Sequence, residues 1–420
     1  MGQLNIFGEM YDTFKFDKNK PIKLFEAFSG YGSQQMALKR LGLEVDVVGY
    51  SEIDKYAIQV YKALHGVHKN YGGIGSFERL PKGIDICTWS FPCTDISLAG
   101  NQKGMKEGTR SNYGYVFLDT VENTPKNERP KVLLMENVKA LFSNTFVKDW
   151  RLIQKRLEDL GYTSYSKVLN AKDYGVAQNR ERVFIVSILG KYSYDFPKPF
   201  KLEKRLRNYL EEKVDEKYYL SDKLLKFFIE NSKKNEAKGN GFRFKPHNIE
   251  DDKPAYSITT NTGSRMDDNF IIKTWNDKNK IYKIREDDMT RHRIYDTKSV
   301  GVTITTNESQ QPSILIPEAT KQGYAESYNG DGVYINRPHQ KMGVVQKGMI
   351  QTLKTSCNDI GVIDNSRIRK LTPREAFRLM DVDDNDIDII LNQVSNTQAY
   401  KLAGNSIVVN VLVEIFKQLF

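Results

Sequence analysis

Between Pro21 and about Leu189, short apolar runs alternate with amphipathic stretches, and this alternation constrains the fold more than any other feature. IKLFEAF, VDVVGYS, IDICTWS, KVLLMENV and RVFIVSI have the length and residue types of strands. SQQMALKRLG, closed by Gly42, and KDWRLIQKRLEDLG carry helical periodicity between them. Strands alternating with helices predict an α/β domain of the Rossmann-like kind, built on a mainly parallel sheet. Ligands of such sheets sit beyond the carboxyl ends of the strands.

Residues 1–20 read as a polar arm and 21–189 as the main domain. Residues 190–365 are rich in Asn, Thr, Lys and Gly and predict a second, smaller β-rich domain; 366–420 regain helical periodicity and suit a return to the first. Within 190–365 a Thr-rich strand recurs at 257–260, 303–306 and 352–355, with starts 46 and 49 residues apart. Such a period suggests a duplicated hairpin unit, although Thr-rich β-domains produce similar echoes.

The net charge of +10 favours a polyanionic partner, and the bias is local. Residues 198–245 hold 14 Lys/Arg against 8 Asp/Glu, interleaved with aromatics, which also suits a solvated amphipathic helix. Cys87, Cys93 and Cys357 are too few and too scattered for a disulfide framework or a zinc site. No apolar run approaches the roughly 20 residues that cross a bilayer, so no membrane partner is expected. The N-terminus lacks a secretory pattern, and a cytoplasmic location is expected.

In LFEAFSGYGSQQMAL a strand enters a turn with Gly30 and Gly32 and leaves as a helix. Such glycines let backbone approach a ligand, and Glu52, 20 residues past Gly32, can accept ribose hydroxyls. The phosphate-binding GxxxxGK[ST] pattern and a third dinucleotide glycine are missing, which favours an adenosyl ligand without a pyrophosphate. In DICTWSFPC, Pro92 fixes the backbone after a strand and presents Cys93 in a polar loop, whereas Cys87 lies inside its strand as a core thiol. Glu136 ends the apolar run KVLLMENV, as a helix N-cap neighbour or a general acid. In YGVAQNRERVFIV, alternation puts Gln178, Arg180 and Arg182 on one face, opposite Val183 and Ile185.

FEAFSGYG, SEIDKYA, FPC, MENV, QNRER, RKLTPREAFRLM and GNS follow one another in an order that resembles the DNA cytosine-5 methyltransferase family of bacterial and phage type. The likeness spans nearly the whole chain outside 190–365. It implies a methyltransferase catalytic domain with a target-recognition domain in 190–365, S-adenosyl-L-methionine as cofactor, and methylation of carbon 5 of a flipped-out cytosine in a specific duplex sequence. Cys93 would be the thiolate that adds to C6, Glu136 the proton donor at N3, and Arg182 the stabiliser of O2, with Arg180 supporting the loop or the flipped nucleotide. No metal is required.

The same resemblance gives the cofactor contacts. Phe28 would stack on adenine, with Ser29, Gly30, Tyr31 and Gly32 near the amino-acid part. Glu52 would bind the ribose, Ile53 and Ile74 would line the adenine side, Pro92 would adjoin the cofactor, and Asn405 and Ser406 would close the pocket. Two positions depart from the family: Gly73 replaces an Asp beside the adenine amine, and Ile53 replaces an aromatic. Double-stranded DNA is the expected partner of a monomer, with a restriction endonuclease as a genetic rather than physical partner. An RNA cytosine-5 methyltransferase of the same fold is the first rival; against it, that branch has a short recognition region bearing Cys-Phe-Thr, where this chain has Ser356-Cys357-Asn358 in a long one. A catalytically dead DNA-binding relative is the second rival.

Overall fold

The computed structural model describes residues 11–92, 96, 105 and 108–218, short stretches between 227 and 362, and 367–420. The chain divides into two compact units. Unit 1 comprises 1–211, 253–262 and 372–420; unit 2 comprises 212–252 and 263–371.

In unit 1, strands β1 (Asp12–Thr13), β2 (Ile22–Ala27), β3 (Val45–Ser51), β4 (Ile86–Trp89), β5 (Val132–Val138), β6 (Tyr162–Asn170), β7 (Gln178–Asn179), β8 (Glu181–Leu189) and β9 (Tyr192–Ser193) follow in chain order. Helices α1 (Ser33–Arg40), α2 (Lys55–His65), α3 (Tyr113–Glu122) and α4 (Val147–Asp159) lie between them. The C-terminal part adds α5 (Pro373–Arg378), α6 (Asp384–Gln393), α7 (Asn396–Asn405) and α8 (Val409–Lys417). Six strands form one sheet in the order β3-β2-β4-β5-β8-β6. β8 runs antiparallel to both neighbours, so the other five share one direction. The mainly parallel expectation holds.

The inner strands are buried along most of their length because both faces are covered. Leu24, Phe25, Ile86, Cys87, Leu133 and Met135 are essentially inaccessible. β2 lies between β3 and β4, although β3 follows it directly in the chain. This is a topological switch point, where an open α/β sheet leaves a crevice.

Two expectations are corrected here. The described part of the arm is docked. β1 pairs with β9, Phe16 N–H bonds Leu419 O at 2.7 Å, and Phe14 and Phe16 pack on Tyr192 and Phe420. Its aromatics outweigh its polar composition. A stretch of membrane-crossing length and apolarity does exist, Asn396–Lys417, 22 residues long. It breaks into α7 and α8 and is mostly buried in unit 1 as core.

The unit boundaries also differ from 190 and 365. Residues 190–211 stay with unit 1, tied by Tyr194 Oη to Ile415 O (3.1 Å) and by Ala177 N–H to Tyr209 Oη (3.4 Å). Unit 2 holds β10 (His247–Asn248), unit 1 takes back β11 (Ala255–Tyr256), and unit 2 resumes with β12 (Phe270–Lys273). From there the described strands run on to Arg367–Lys370, which pairs antiparallel with β12 and keeps the chain in unit 2 up to Leu371. A five-stranded antiparallel sheet, from Lys283–Ile284 to Tyr324–Ser327, lies between.

Candidate active site

The carboxyl ends of β2 and β3 are stitched together by Glu52. Its Oε1 accepts the N–H groups of Ile53 and Asp54, both at 2.8 Å, and its Oε2 accepts Gly30 N–H at 3.0 Å. Burial raises the Glu52 pKa, against the pull of these three backbone donors. Asn70 orients the segment: its Oδ1 accepts Glu52 N–H at 3.3 Å and its Nδ2 donates to Glu52 O at 3.0 Å.

Gly32 caps α1 in a left-handed conformation, φ 84°, and an added Cβ there would stand 2.4 Å from His65 Nε2. Gly30 also has positive φ, but an added Cβ would meet nothing within 4 Å, so space lies over the turn. Phe28 adopts φ 57°, a conformation that costs a non-glycine residue of the order of 1 kcal/mol. Such strain clusters at sites where a side chain must be aimed.

Around this turn the expected cofactor residues separate. Ile53 is 76% exposed, whereas Ile74 and Tyr31 are buried in the core. The Tyr31 ring packs edge-on against Phe377, leaving only its backbone to a ligand. Asn405 is exposed and Ser406 buried, just past the end of α7. The two family departures touch, since a Cβ on Gly73 would lie 3.2 Å from Ile53 Cγ2.

A second cluster lies at the ends of β4, β5 and β8. Glu136 is 9% exposed, and its Oε1 lies 3.1 Å from Arg182 Nε. The β5/β8 register pairs Val138 with Arg182, which sets Arg182 beside the β5 terminus. Burial raises the Glu136 pKa, while the Arg182 and Arg180 charges oppose the rise. Asn137 Nδ2 donates to Phe91 O at 3.2 Å, and Ser111 Oγ donates to Pro92 O at 2.8 Å. These bonds tether the residues immediately before Cys93. Cys93 itself lies outside the described residues. Cys87 is buried in β4 and its thiol pKa is pushed well up, as suits a core residue.

Gln178, Arg180 and Arg182 do not converge on one target. The strand breaks at Arg180, between β7 and β8. Gln178 and Arg180 are buried and both bond Ile258, while Arg182 reaches Glu136. Asn70 and Ser111 carried no sequence signal, and Asn137 only its place in MENV. Among the described residues no group of three or more His, Cys, Asp or Glu is placed to hold a metal ion.

The molecule is thus a mainly parallel α/β protein with a glycine turn and Glu52 at its switch point and a buried Glu136–Arg182 pair. The family model for C-5 cytosine-specific DNA methylase matches residues 22–420, so the chain belongs to that family and is a DNA cytosine-5 methyltransferase. The orphan methyltransferase M.Rho11sI of Bacillus phage rho11s is 28% identical, over 95% of this chain and 97% of that one. The type II methyltransferase M2.ScrFI of Lactococcus lactis subsp. cremoris is 29% identical, over 95% and 99%. Among solved structures, the Entamoeba histolytica methyltransferase EhMeth aligns with a TM-score of 0.60 at 14% identity, covering 96% of this chain and 98% of its own. Dnmt2 of S. pombe aligns with 0.57 at 16%, covering 95% and 98%. These last two establish the shared fold.

Proposed function

We propose that the protein methylates carbon 5 of a cytosine rotated out of a specific duplex DNA sequence, through a covalent bond between Cys93 and C6. The observation that carries this reading is the buried Glu136–Arg182 pair beside the tethered Phe91–Pro92 segment. It offers a proton donor and a cation next to the chain position of a thiol.

The residues present suit S-adenosylmethionine. Glu52 keeps acceptor capacity on Oε2, which takes a single backbone N–H, and the space over Gly30 is open. Bound there, the cofactor supplies an electrophilic methyl group on a sulfonium. Glu52 would hold the ribose hydroxyls, Phe28 and Ile53 would flank the adenine, and Asn405 and Ser406 would close the opposite side. The backbone of Ser29 to Gly32, with Ile74 and Pro92, would complete the wall.

Cys93 as thiolate adds to C6, and the ring electrons move toward C5, N3 and O2. Glu136, whose pKa burial raises, is the donor at N3 as the ring gains charge. Arg182 balances the charge at O2 from a low-dielectric position. C5 takes the methyl group; loss of the C5 proton then restores the ring and expels the thiolate. A stacked base cannot reach these groups, so the cytosine must leave the duplex. Unit 2 and the Thr-rich stretches would read the sequence, with lysines meeting phosphates. Of those stretches, 257–259 lies in unit 1 and Thr303 ends a strand of unit 2; residues 260, 304–306 and 352–355 lie outside the described residues.

Duplex DNA with 5-fluorocytosine at the target tests this, because fluorine cannot leave as a proton and the adduct accumulates. A covalent complex should form with cofactor present and be absent for Cys93→Ala. An adduct mapped to Cys87 or Cys357 would refute the assignment.

A further inference from the structure

The chain leaves unit 1 after Glu211 and returns for only ten residues, Lys253–Thr262, before leaving again. The described part of this excursion is bound at every step to the QNR segment. β11 pairs in parallel with β7, and Ala255 N–H bonds Ala177 O at 2.6 Å. Ser257 Oγ donates to Asn179 O at 3.1 Å, and Ile258 N–H donates to Gln178 Oε1 at 2.8 Å. Arg180 Nη1 then donates to Ile258 O at 2.8 Å. Ala255 and Ile258 are buried, so the bonds they make are shielded from water, whereas the Ser257 bond is exposed.

The other end of the same guanidinium serves a different segment. Arg180 Nη2 donates to Gly404 O at 3.1 Å and to Ser406 O at 2.7 Å. α7 ends at Asn405, so its last carbonyls lack intrahelical partners and carry the negative end of the helix dipole. A buried cation there makes strong, charge-assisted bonds. Tyr31 of the glycine turn adjoins the group too, because the Arg180 charge acts on its buried phenol. Only a planar fork spans three carbonyls on two segments; a lysine ammonium is a single point.

We propose that Arg180 is a positioning residue that makes DNA binding and S-adenosylmethionine binding interdependent, by tying the 254–259 excursion to the 404–406 segment. This rests on the reading above, in which the Thr-rich excursion faces DNA and Asn405 and Ser406 face the cofactor. Binding that moves or orders one segment is then felt by the other, and the coupling is reciprocal.

The test is calorimetry of S-adenosylhomocysteine with the full chain, with and without a duplex carrying the site mapped by sequencing methylated cytosines. The duplex should tighten cofactor-product binding at least about fivefold in the natural protein, and less than about twofold in Arg180→Lys. Gln178→Met, which loosens the Ile258 end and leaves the arginine in place, should lower the coupling as well. It decides the matter if Arg180→Lys does not fold.

Hydrogen exchange of the ligand-free protein gives an independent readout. Arg180→Lys should speed exchange in 255–258 and 405–408 while leaving Val132–Val138 protected. Faster exchange with undiminished coupling would overturn the proposal. So would lost methyl transfer with undiminished coupling, which would make Arg180 a contact to the flipped nucleotide. If the natural protein forms no 5-fluorocytosine adduct and binds no S-adenosylhomocysteine, the functional reading fails and takes the coupling with it. Normal adducts and binding with unchanged coupling in both variants would sink this inference alone.

Discussion

Burial pushes the carboxyls of Glu136 and Glu26 upward, but their partners differ. Glu136 faces the Arg182 guanidinium at 3.1 Å, a cation that opposes the rise caused by burial. A raised pKa keeps a donor populated at higher pH than an ordinary carboxyl would allow. Methyl transfer should therefore fall as pH climbs through that raised value. Glu136→Gln should bind S-adenosylhomocysteine normally in calorimetry but transfer methyl on the order of a hundredfold more slowly. Equal loss of both would assign Glu136 a folding role instead. Glu26 lies in the core under the glycine turn, taking bonds from Tyr61 Oη at 2.6 Å and Gln35 N–H at 3.3 Å. Burial raises its pKa from 4.5 to about 7. The folded protein thus binds this proton more tightly than the unfolded chain does. The stability it contributes is complete below pH 4.5 and disappears as pH rises through 7, a loss of about 3 kcal/mol. Glu26→Gln should gain stability on the natural protein by about that amount between pH 5 and pH 8 in urea unfolding. Parallel profiles would show that Glu26 ionises as freely in the fold as in the unfolded chain, and would overturn its raised pKa.

Elements set how those residues meet. The turn between β2 and α1 needs glycine at position 32 for two separate reasons, a left-handed φ of 84° and the His65 ring 2.4 Å from any Cβ. Gly32→Ala should cost about 2–3 kcal/mol in unfolding experiments and weaken S-adenosylhomocysteine binding. Adding His65→Ala should recover the steric part and leave the conformational part. If the double variant recovers nothing, the His65 contact is not the cause.

The turn, its glycines and Glu52 were all readable in the sequence, because strands covered on both faces appear as unbroken apolar runs ending in one polar residue. Glu136 stood out in the same way. β6 was not readable: YTSYSKVLN is largely polar since this edge strand is half-exposed along its middle. Neither was the reversed direction of β8, which periodicity does not encode. Asn70, Ser111 and Asn137 act through side-chain bonds to backbone, and nothing periodic marks such residues. Alternation put Gln178, Arg180 and Arg182 on one side, but past the break at Arg180 the first two bond Ile258 and only Arg182 reaches Glu136. The arm misled because Phe14 and Phe16 are two aromatics in a polar stretch, and their docking sites lie some 180 and 400 residues away.

At the scale of the whole molecule, unit 2 is an insertion whose exit and re-entry are clasped together within unit 1. Glu211 N–H bonds Glu375 Oε1 at 2.8 Å, and the Glu211 carboxylate takes the Thr372 hydroxyl. Thr372 and Glu375 also form the capping box that starts α5, so the last residue before the insertion braces the first helix after it. An insertion with adjacent ends can be exchanged without cutting the core of its host. Residues 212–371, moved into a related methyltransferase between its QxRxR and PRE-like motifs, should yield an active chimera that methylates this protein's site. The host must keep its Gln and first Arg, because 255–258 travels with the insert and docks on those two side chains.

Cutting at 190 and 365 instead would remove Tyr194 and Tyr209 from their bonds to Ile415 and to Gly175 and Ala177. It would also leave behind Arg367–Lys370, the strand of unit 2 that pairs with β12 and carries the buried Arg369. That chimera should be markedly less stable and poorly active. Sequencing methylated cytosines in a host carrying each chimera distinguishes the outcomes. An active 212–371 chimera that keeps its original site would place sequence reading in unit 1. Equal activity from both cuts would show that residues 190–211 contribute nothing to the catalytic unit. If the transplant succeeds, Thr→Ala changes in 257–260 should relax one part of the site, each lost base contact costing about 1–3 kcal/mol of discrimination. Lower stability with unchanged preference would reduce those threonines to scaffold.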